Sequence, residues 1–205
     1  MAVQVSLSAA DKDGWVALFD GKNLEHWTLK QAGGWKIEDG SLAPNPIRRD
    51  NYAWTKEKFG DFTLELEFKM SAGCNSGVFF RADPANPVQA GFEIQVFDSH
   101  GKAEIGTHDC GALYDALAPR VNAAKPAGEW NAMRVTAQGP RVKVELNGKL
   151  VLDANLDDWK EAQKNPDGSP NKFKTALKDL PRTGHIGLQY HGHEVWFRNV
   201  RVGTK

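Results

Sequence analysis

The chain has 205 residues, enough for one well-buried domain and few for two. With 40% hydrophobic and 25% charged residues it is not a disordered chain, and no apolar run reaches membrane-spanning length. Lys plus Arg and Asp plus Glu both number 26, so no net field steers the protein onto a phosphate backbone, which excludes nucleic acid as a first guess for its partner. The opening residues, Met1 to Ala10, carry no basic start and no sustained apolar core, so they are not an intact signal peptide. Residues 1–14 read as a flexible N-terminus and 15–205 as a single domain. Strands are predicted at Trp15–Phe19, Trp35–Glu38, Ser41–Ala43, Tyr52–Thr55, Phe62–Met70, Gly77–Arg81 and Phe92–Asp98. Further strands follow at Asn131–Ala137, Val142–Leu146, Lys149–Asp153, His185–Tyr190 and Val195–Val202. Phe62–Met70 is the clearest case: Phe62, Leu64, Leu66, Phe68 and Met70 alternate with Thr63, Glu65, Glu67 and Lys69, as in a half-buried strand of an antiparallel sheet. Asp39-Gly40 and Asn147-Gly148 mark two hairpins. Leu156–Ala162 reads as a short helix and 165–170 as a loop. Short strands without helices between them predict an all-β sandwich rather than βαβ units. Cys74 and Cys110 fall in no CxxC pattern, and their spacing leaves one disulfide and two buried thiols equally open.

Several predicted strands carry polar groups on one face. Glu93 and Gln95 share a face opposite Phe92, Ile94 and Val96; Asp98 falls on the core side unless a bulge shifts the register. Arg81 shares a face with Gly77 and Phe79, Gln189 with His191, and Trp196 with Arg198. If these strands are neighbours, one sheet face gathers Arg81, Glu93, Gln95, Gln189, His191, Trp196 and Arg198. Any one of them alone is read as a solvated outer-face residue. Together they offer a carboxylate, an imidazole, two guanidinium groups, amides and an aromatic platform, which suits a sugar ring with its hydroxyls and its stacking C–H face. His191 and His193 lie two apart and are compatible with a metal, with Glu93 and His108 as further candidate ligands, but two imidazoles do not make a site. No Gly-x-Ser-x-Gly elbow, P-loop or dinucleotide fingerprint is present.

A set of motifs resembles the 3-keto-disaccharide hydrolase domain family. Leu18–Trp27 matches its opening motif, and Asn75–Arg81, Gly91–Asp98, Gly111–Tyr114, Gly128–Asn131, Leu146–Gly148, Gly187–Gly192 and Phe197–Arg201 follow in order. Each is weak alone; the ordered set spans nearly the whole chain. The resemblance implies a concanavalin A-like β-sandwich, a jelly roll with one concave sheet forming the ligand groove. It implies cleavage of glycosides already oxidised to a ketone at C3, export to the periplasm or medium, and one divalent metal ion as a cofactor open to test. A more distant echo is Glu93-x-Gln95-x-x-Asp98, which has the spacing of the Glu-x-Asp-x-x-Glu strand motif of laminarinase-type glycosidases. Here the middle acid is Gln and the last is the shorter Asp, which speaks against direct double displacement.

A C3 ketone acidifies the hydrogen on C2, so proton removal, loss of the C1 substituent and hydration would cleave the bond. His191 or Glu93 is the candidate base, and Tyr114 or Asp98 the candidate acid. Arg81, Arg198 or a metal would stabilise the enolate, and Gln95, Gln189, Trp196 and Asn75 would position the sugar. The competing readings are a non-catalytic carbohydrate-binding module and a laminarinase-like hydrolase of unoxidised glucans.

Overall fold

The computed structural model describes residues 14–45 and 50–204. The expected flexible segment 1–14 lies, but for Gly14, outside them. The described residues form thirteen strands: β1 (Trp15–Phe19), β2 (Trp27–Leu29), β3 (Trp35–Glu38), β4 (Ser41–Pro44), β5 (Asn51–Thr55), β6 (Phe62–Met70), β7 (Asn75–Ala82), β8 (Phe92–Phe97), β9 (Asn131–Gln138), β10 (Arg141–Leu146), β11 (Lys149–Asn155), β12 (His185–Tyr190) and β13 (Val195–Gly203). They pair antiparallel into two sheets. One has eight strands in the order β11-β10-β9-β6-β13-β4-β3, with β1 also on β13; the other has five, in the order β2-β5-β12-β7-β8.

The all-β expectation holds because the alternation it rests on is a burial pattern. Every second residue of β6 is buried, and Phe62, Leu64, Leu66, Phe68 and Met70 meet Val78, Phe80, Phe92, Ile94 and Val96 of the other sheet in one core. Each such side chain taken from water contributes about 1.5–3 kcal/mol. β7 and β8 are buried on both faces, so the sheet carrying them has something laid over its outer side. The edge of β8 is closed by 111–114, which pairs alongside it: Gln95 N donates to Ala112 O and Tyr114 N to Glu93 O, each at 3.0 Å. Cys74 and Cys110 are free, and burial pushes both thiols up to about 12, which makes them packing residues rather than nucleophiles. The expected helix Leu156–Ala162 shrinks to one 3-10 turn, Leu156–Asp158, opened by the Asn155 side chain accepting from Asp157 N. At the far edge Trp15 of β1 lies opposite Gly203 of β13. Among the described residues no helix is long and apolar enough to cross a membrane.

Candidate active site

The register of the five-stranded sheet sets its outward side chains in rows. Glu93 pairs with Phe79, Phe79 with Gly187 and Gly187 with Trp54. The next row holds Gln95, Gly77, Gln189 and Tyr52. Two glycines make the rows usable. A Cβ on Gly77 would lie 2.2 Å from Glu93 Oε1, and one on Gly187 would lie 2.1 Å from the Trp54 ring. The missing side chains let the carboxylate lie across β7 and the indole lie flat on β12. Trp54, Tyr52 and Phe79 form a buried aromatic floor, with Tyr52 and Trp54 stacked at 5.1 Å and Phe79 edge-on to both.

Above this floor is a hollow of about 320 Å³. Tyr52, Asn75, Glu93 and Gln189 line it from the sheet. Asp50, Val88, Tyr114, Lys172 and His191 line it from the loops at its rim. At one end Lys172 Nζ stands 3.8 Å from Glu93 Oε2, 4.0 Å from the centre of the Tyr114 ring and 5.2 Å from that of Phe173. The Lys172 backbone is tied on both sides: its N–H donates to Asp115 Oδ2 at 2.6 Å, and its carbonyl accepts from Gln89 Nε2 at 2.9 Å. His108 bonds the other Asp115 oxygen at 3.0 Å and packs its ring 4.7 Å from Tyr114. At the other end the Asp50 carboxylate holds His191 Nδ1 in a close contact, while Gln189 Nε2 donates to Tyr52 Oη at 3.2 Å. Two strand spacings and four residues separate the Cα atoms of Glu93 and His191, roughly 15 Å. The two groups bracket a sugar rather than share one atom of it.

Burial dominates the electrostatics. It pushes Glu93 up to about 7 against the opposing pull of Lys172, so the carboxyl exchanges its proton near neutrality. Burial lowers Lys172, with the Glu93 and Asp115 carboxylates acting the other way. Tyr114 is raised by burial and then by Glu93 and Asp115. A perturbed carboxyl beside a cation and a phenol, within a hollow, is the arrangement proton-transfer chemistry requires.

Sequence reasoning placed Glu93, Gln189, His191, Tyr114 and Asn75 at one site, and all five line this hollow. Gln95 stands one step behind, donating to Asn75 Oδ1 at 3.1 Å. Four placements are corrected. Arg81 sits at a bulge, where three steps along β7 match two along β12, and its φ of +48° turns the side chain off the expected face. Its guanidinium is fully buried and donates to Gly60 O, Gly139 O and Asp61 Oδ1 at 2.8–3.1 Å. Trp196 and Arg198 belong to β13 in the other sheet. There Arg198 Nε bonds Glu67 at 2.6 Å, and Trp196 Nε1 donates to Glu38. Asp98 lies beyond the end of β8 and accepts from Gly73 N at 2.9 Å, tied to the β6–β7 turn instead of the hollow.

Sequence reasoning missed Asp50, Tyr52, Val88 and Lys172. Only Tyr52 carried a legible signal, as the outward residue of a predicted strand next to Trp54; the other three sit in loops without periodicity. A larger hollow, about 640 Å³, lies on the outer face of the eight-stranded sheet. There Glu65 pairs with Arg134 and Arg201, and Glu67 accepts from Asn199.

Among the described residues no three His, Cys, Asp or Glu side chains converge as metal ligands. Glu93 faces an ammonium, His108 is bonded to Asp115, His191 to Asp50, and His193 is exposed in the β12–β13 turn. These four candidate ligands therefore do not converge on one point.

The sandwich is shared widely. A protein of Parabacteroides distasonis described as a glycosyl hydrolase superposes with a TM-score of 0.85 at 36% identity, over 93% of this chain and 99% of that one. A Bacillus licheniformis β-glucanase shares the fold alone, with a TM-score of 0.55 at 14% identity over 93% and 97% of the two chains. The family model and a curated relative place this jelly-roll sandwich among enzymes that cleave glycosidic bonds. Within that class the chain belongs to the 3-keto-α-glucoside-1,2-lyase-like domain family, whose model matches residues 14–203. A 3-keto-disaccharide hydrolase of Bacteroides thetaiotaomicron is 31% identical over 94% of this chain and 79% of its own length.

Proposed function

We propose that the enzyme cleaves 3-keto-glycosides by elimination and hydration. The observation that carries this reading is the buried carboxyl of Glu93, held near pH 7 on the floor of a sugar-sized hollow. Glu93 removes the C2 proton, which the neighbouring ketone has made acidic, and the C–H electron pair becomes an enolate over C2, C3 and the C3 oxygen. The enolate collapses to a C1=C2 bond and expels the C1 oxygen, which takes a proton from the Tyr114 hydroxyl. The alcohol leaves, and the proton held by Glu93 exchanges with solvent. Water then adds across the double bond, its hydroxide going to C1 and its proton restoring Tyr114, while Glu93 delivers a solvent-derived proton to C2, giving the free 3-keto sugar. His191, oriented by Asp50, holds hydroxyls at the far end together with Gln189 and Asn75, and the ring lies over Tyr52. The domain family's 3-keto-glucoside lyase description and the disaccharide hydrolase relative both support this chemistry. Double displacement at an unoxidised sugar would need a second carboxylate close to Glu93, and Asp98 is turned away.

The test is a 3-keto disaccharide carrying deuterium at C2. Cleavage with loss of the label to solvent is expected; cleavage with full retention would show direct hydrolysis, and binding without cleavage would show a sugar-binding module.

A further inference from the structure

We propose that Lys172 is a catalytic residue of this reaction, its ammonium taking up the negative charge that grows on the substrate's C3 oxygen while Glu93 takes the C2 proton. This rests on the keto-glycoside reading above and says which group of this chain completes it. Removing Arg81 and Arg198 from the hollow leaves the enolate without a guanidinium partner. Lys172 is the lone lysine or arginine among the described residues that line the hollow.

The position suits the task. At 3.8 Å the Lys172 ammonium is too far from Glu93 Oε2 for a hydrogen bond, so its N–H donors are not committed to that carboxylate. The C2 hydrogen and the C3 oxygen of a 3-keto sugar sit on adjacent carbons, and a base and a cation a few ångströms apart can address both at once. During the step, negative charge leaves the carboxylate as it gains the proton and reappears on the oxygen. One fixed cation stabilises both ends of that transfer. Lys172 forms no covalent bond and keeps its own protons. Its backbone is tied to Asp115 and Gln89 and its ammonium lies over the Tyr114 and Phe173 rings, so the charge is in place before substrate arrives. The side chain is 20% exposed, which keeps water from diluting its field.

A bland role exists: a lysine packed on two aromatic rings could merely strap the 170–174 loop to the edge of the sheet. The two roles part in the pH profile. Tyr114, Asp115 and His108 face the pair from one side and Tyr52, Asp50 and His191 from across the sheet, and all remain in a Lys172 variant. Wild-type enzyme, Lys172→Met and Lys172→Arg would be assayed on the C2-deuterated 3-keto disaccharide from pH 5 to 9, with melting temperatures alongside. In Lys172→Met, kcat and label washout are expected to fall together by about a hundredfold or more, with a much smaller change in KM. The acid limb of kcat/KM should move to higher pH, because removing a cation raises the Glu93 pKa. Lys172→Arg, which keeps the charge, should hold the limb near its wild-type position. Near-wild-type kcat in Lys172→Met overturns the proposal and leaves the function standing. A fall in kcat with an unmoved limb and a lowered melting temperature assigns Lys172 to the strap alone. A borohydride-trapped adduct on Lys172 would replace the electrostatic role with an imine. Wild-type enzyme that does not cleave the keto sugar ends both readings before any variant is compared.

Discussion

Glu93 holds its proton at a pH where an ordinary glutamate has lost it, and stability bears the cost. Its folded pKa of about 7 lies above the usual 4.5, so the folded state binds the proton more tightly than the unfolded chain does. The stability tied to that proton is complete below pH 4.5 and is lost as pH rises through 7. Glu93→Gln, which stays neutral throughout, should match wild type in urea unfolding at pH 4. At pH 8 it should be the more stable by at most about 3 kcal/mol, while its turnover falls about a hundredfold or more. A variant less stable than wild type at pH 8 would mean that the carboxylate is held by contacts the glutamine cannot replace. At this scale the sequence was legible where polar residues interrupt an outer strand face, as with Glu93, Gln189 and His191. It was silent on Lys172 and Asp50, whose roles come from loop anchorage rather than from any local pattern.

Strands β7 and β12 matter as much for the side chains they lack as for those they carry. Gly77 and Gly187 clear the space in which Glu93 and Trp54 lie. Gly77→Ala meets the Glu93 side chain from Oε1 back to Cγ and no backbone, so it should displace the carboxyl and cut kcat at least tenfold, with a smaller stability loss than Gly187→Ala. Gly187→Ala meets a packed indole, so it should destabilise by about 1–3 kcal/mol. Thermal melts and kinetics on the two purified variants check both, and an active, stable Gly77→Ala enzyme would show that Glu93 has another productive rotamer. The strand pattern reads well from sequence wherever burial alternates: β1, β3, β6 and β12 fall where the periodicity sets them. β2, three residues long, is too short to show a period. The bulge at Arg81 is invisible because it arises from tertiary demand, the three acceptors on Gly60, Asp61 and Gly139 that draw the guanidinium inward.

For the molecule as a whole, the sequence named the strands but not which sheet each would join. Outward polar residues of two different sheets therefore read as one surface. Trp196 and Arg198 look the same in sequence as Gln189 and His191, yet they stand on the opposite wall. On that wall Arg198 pairs with Glu67 and stacks 3.9 Å over Trp130, and Arg201 pairs with Glu65 and lies 4.6 Å over Trp15. Partly exposed pairs of this kind contribute little. Arg198→Ala should therefore leave kcat and KM for a 3-keto glycoside at wild-type values and lower stability by no more than about 1 kcal/mol. A clear kinetic defect in that variant would reinstate the residue near substrate. The neighbouring Trp15–Gly203 pairing also has a practical side. Trp15 and Gly203 bring the two ends of the described fold next to each other on the eight-stranded sheet, away from the hollow. A short peptide could join them and new termini be opened in an exposed turn such as Asp39-Gly40, or the whole unit could be spliced into a loop of a host scaffold, with the mouth of the hollow left unobstructed.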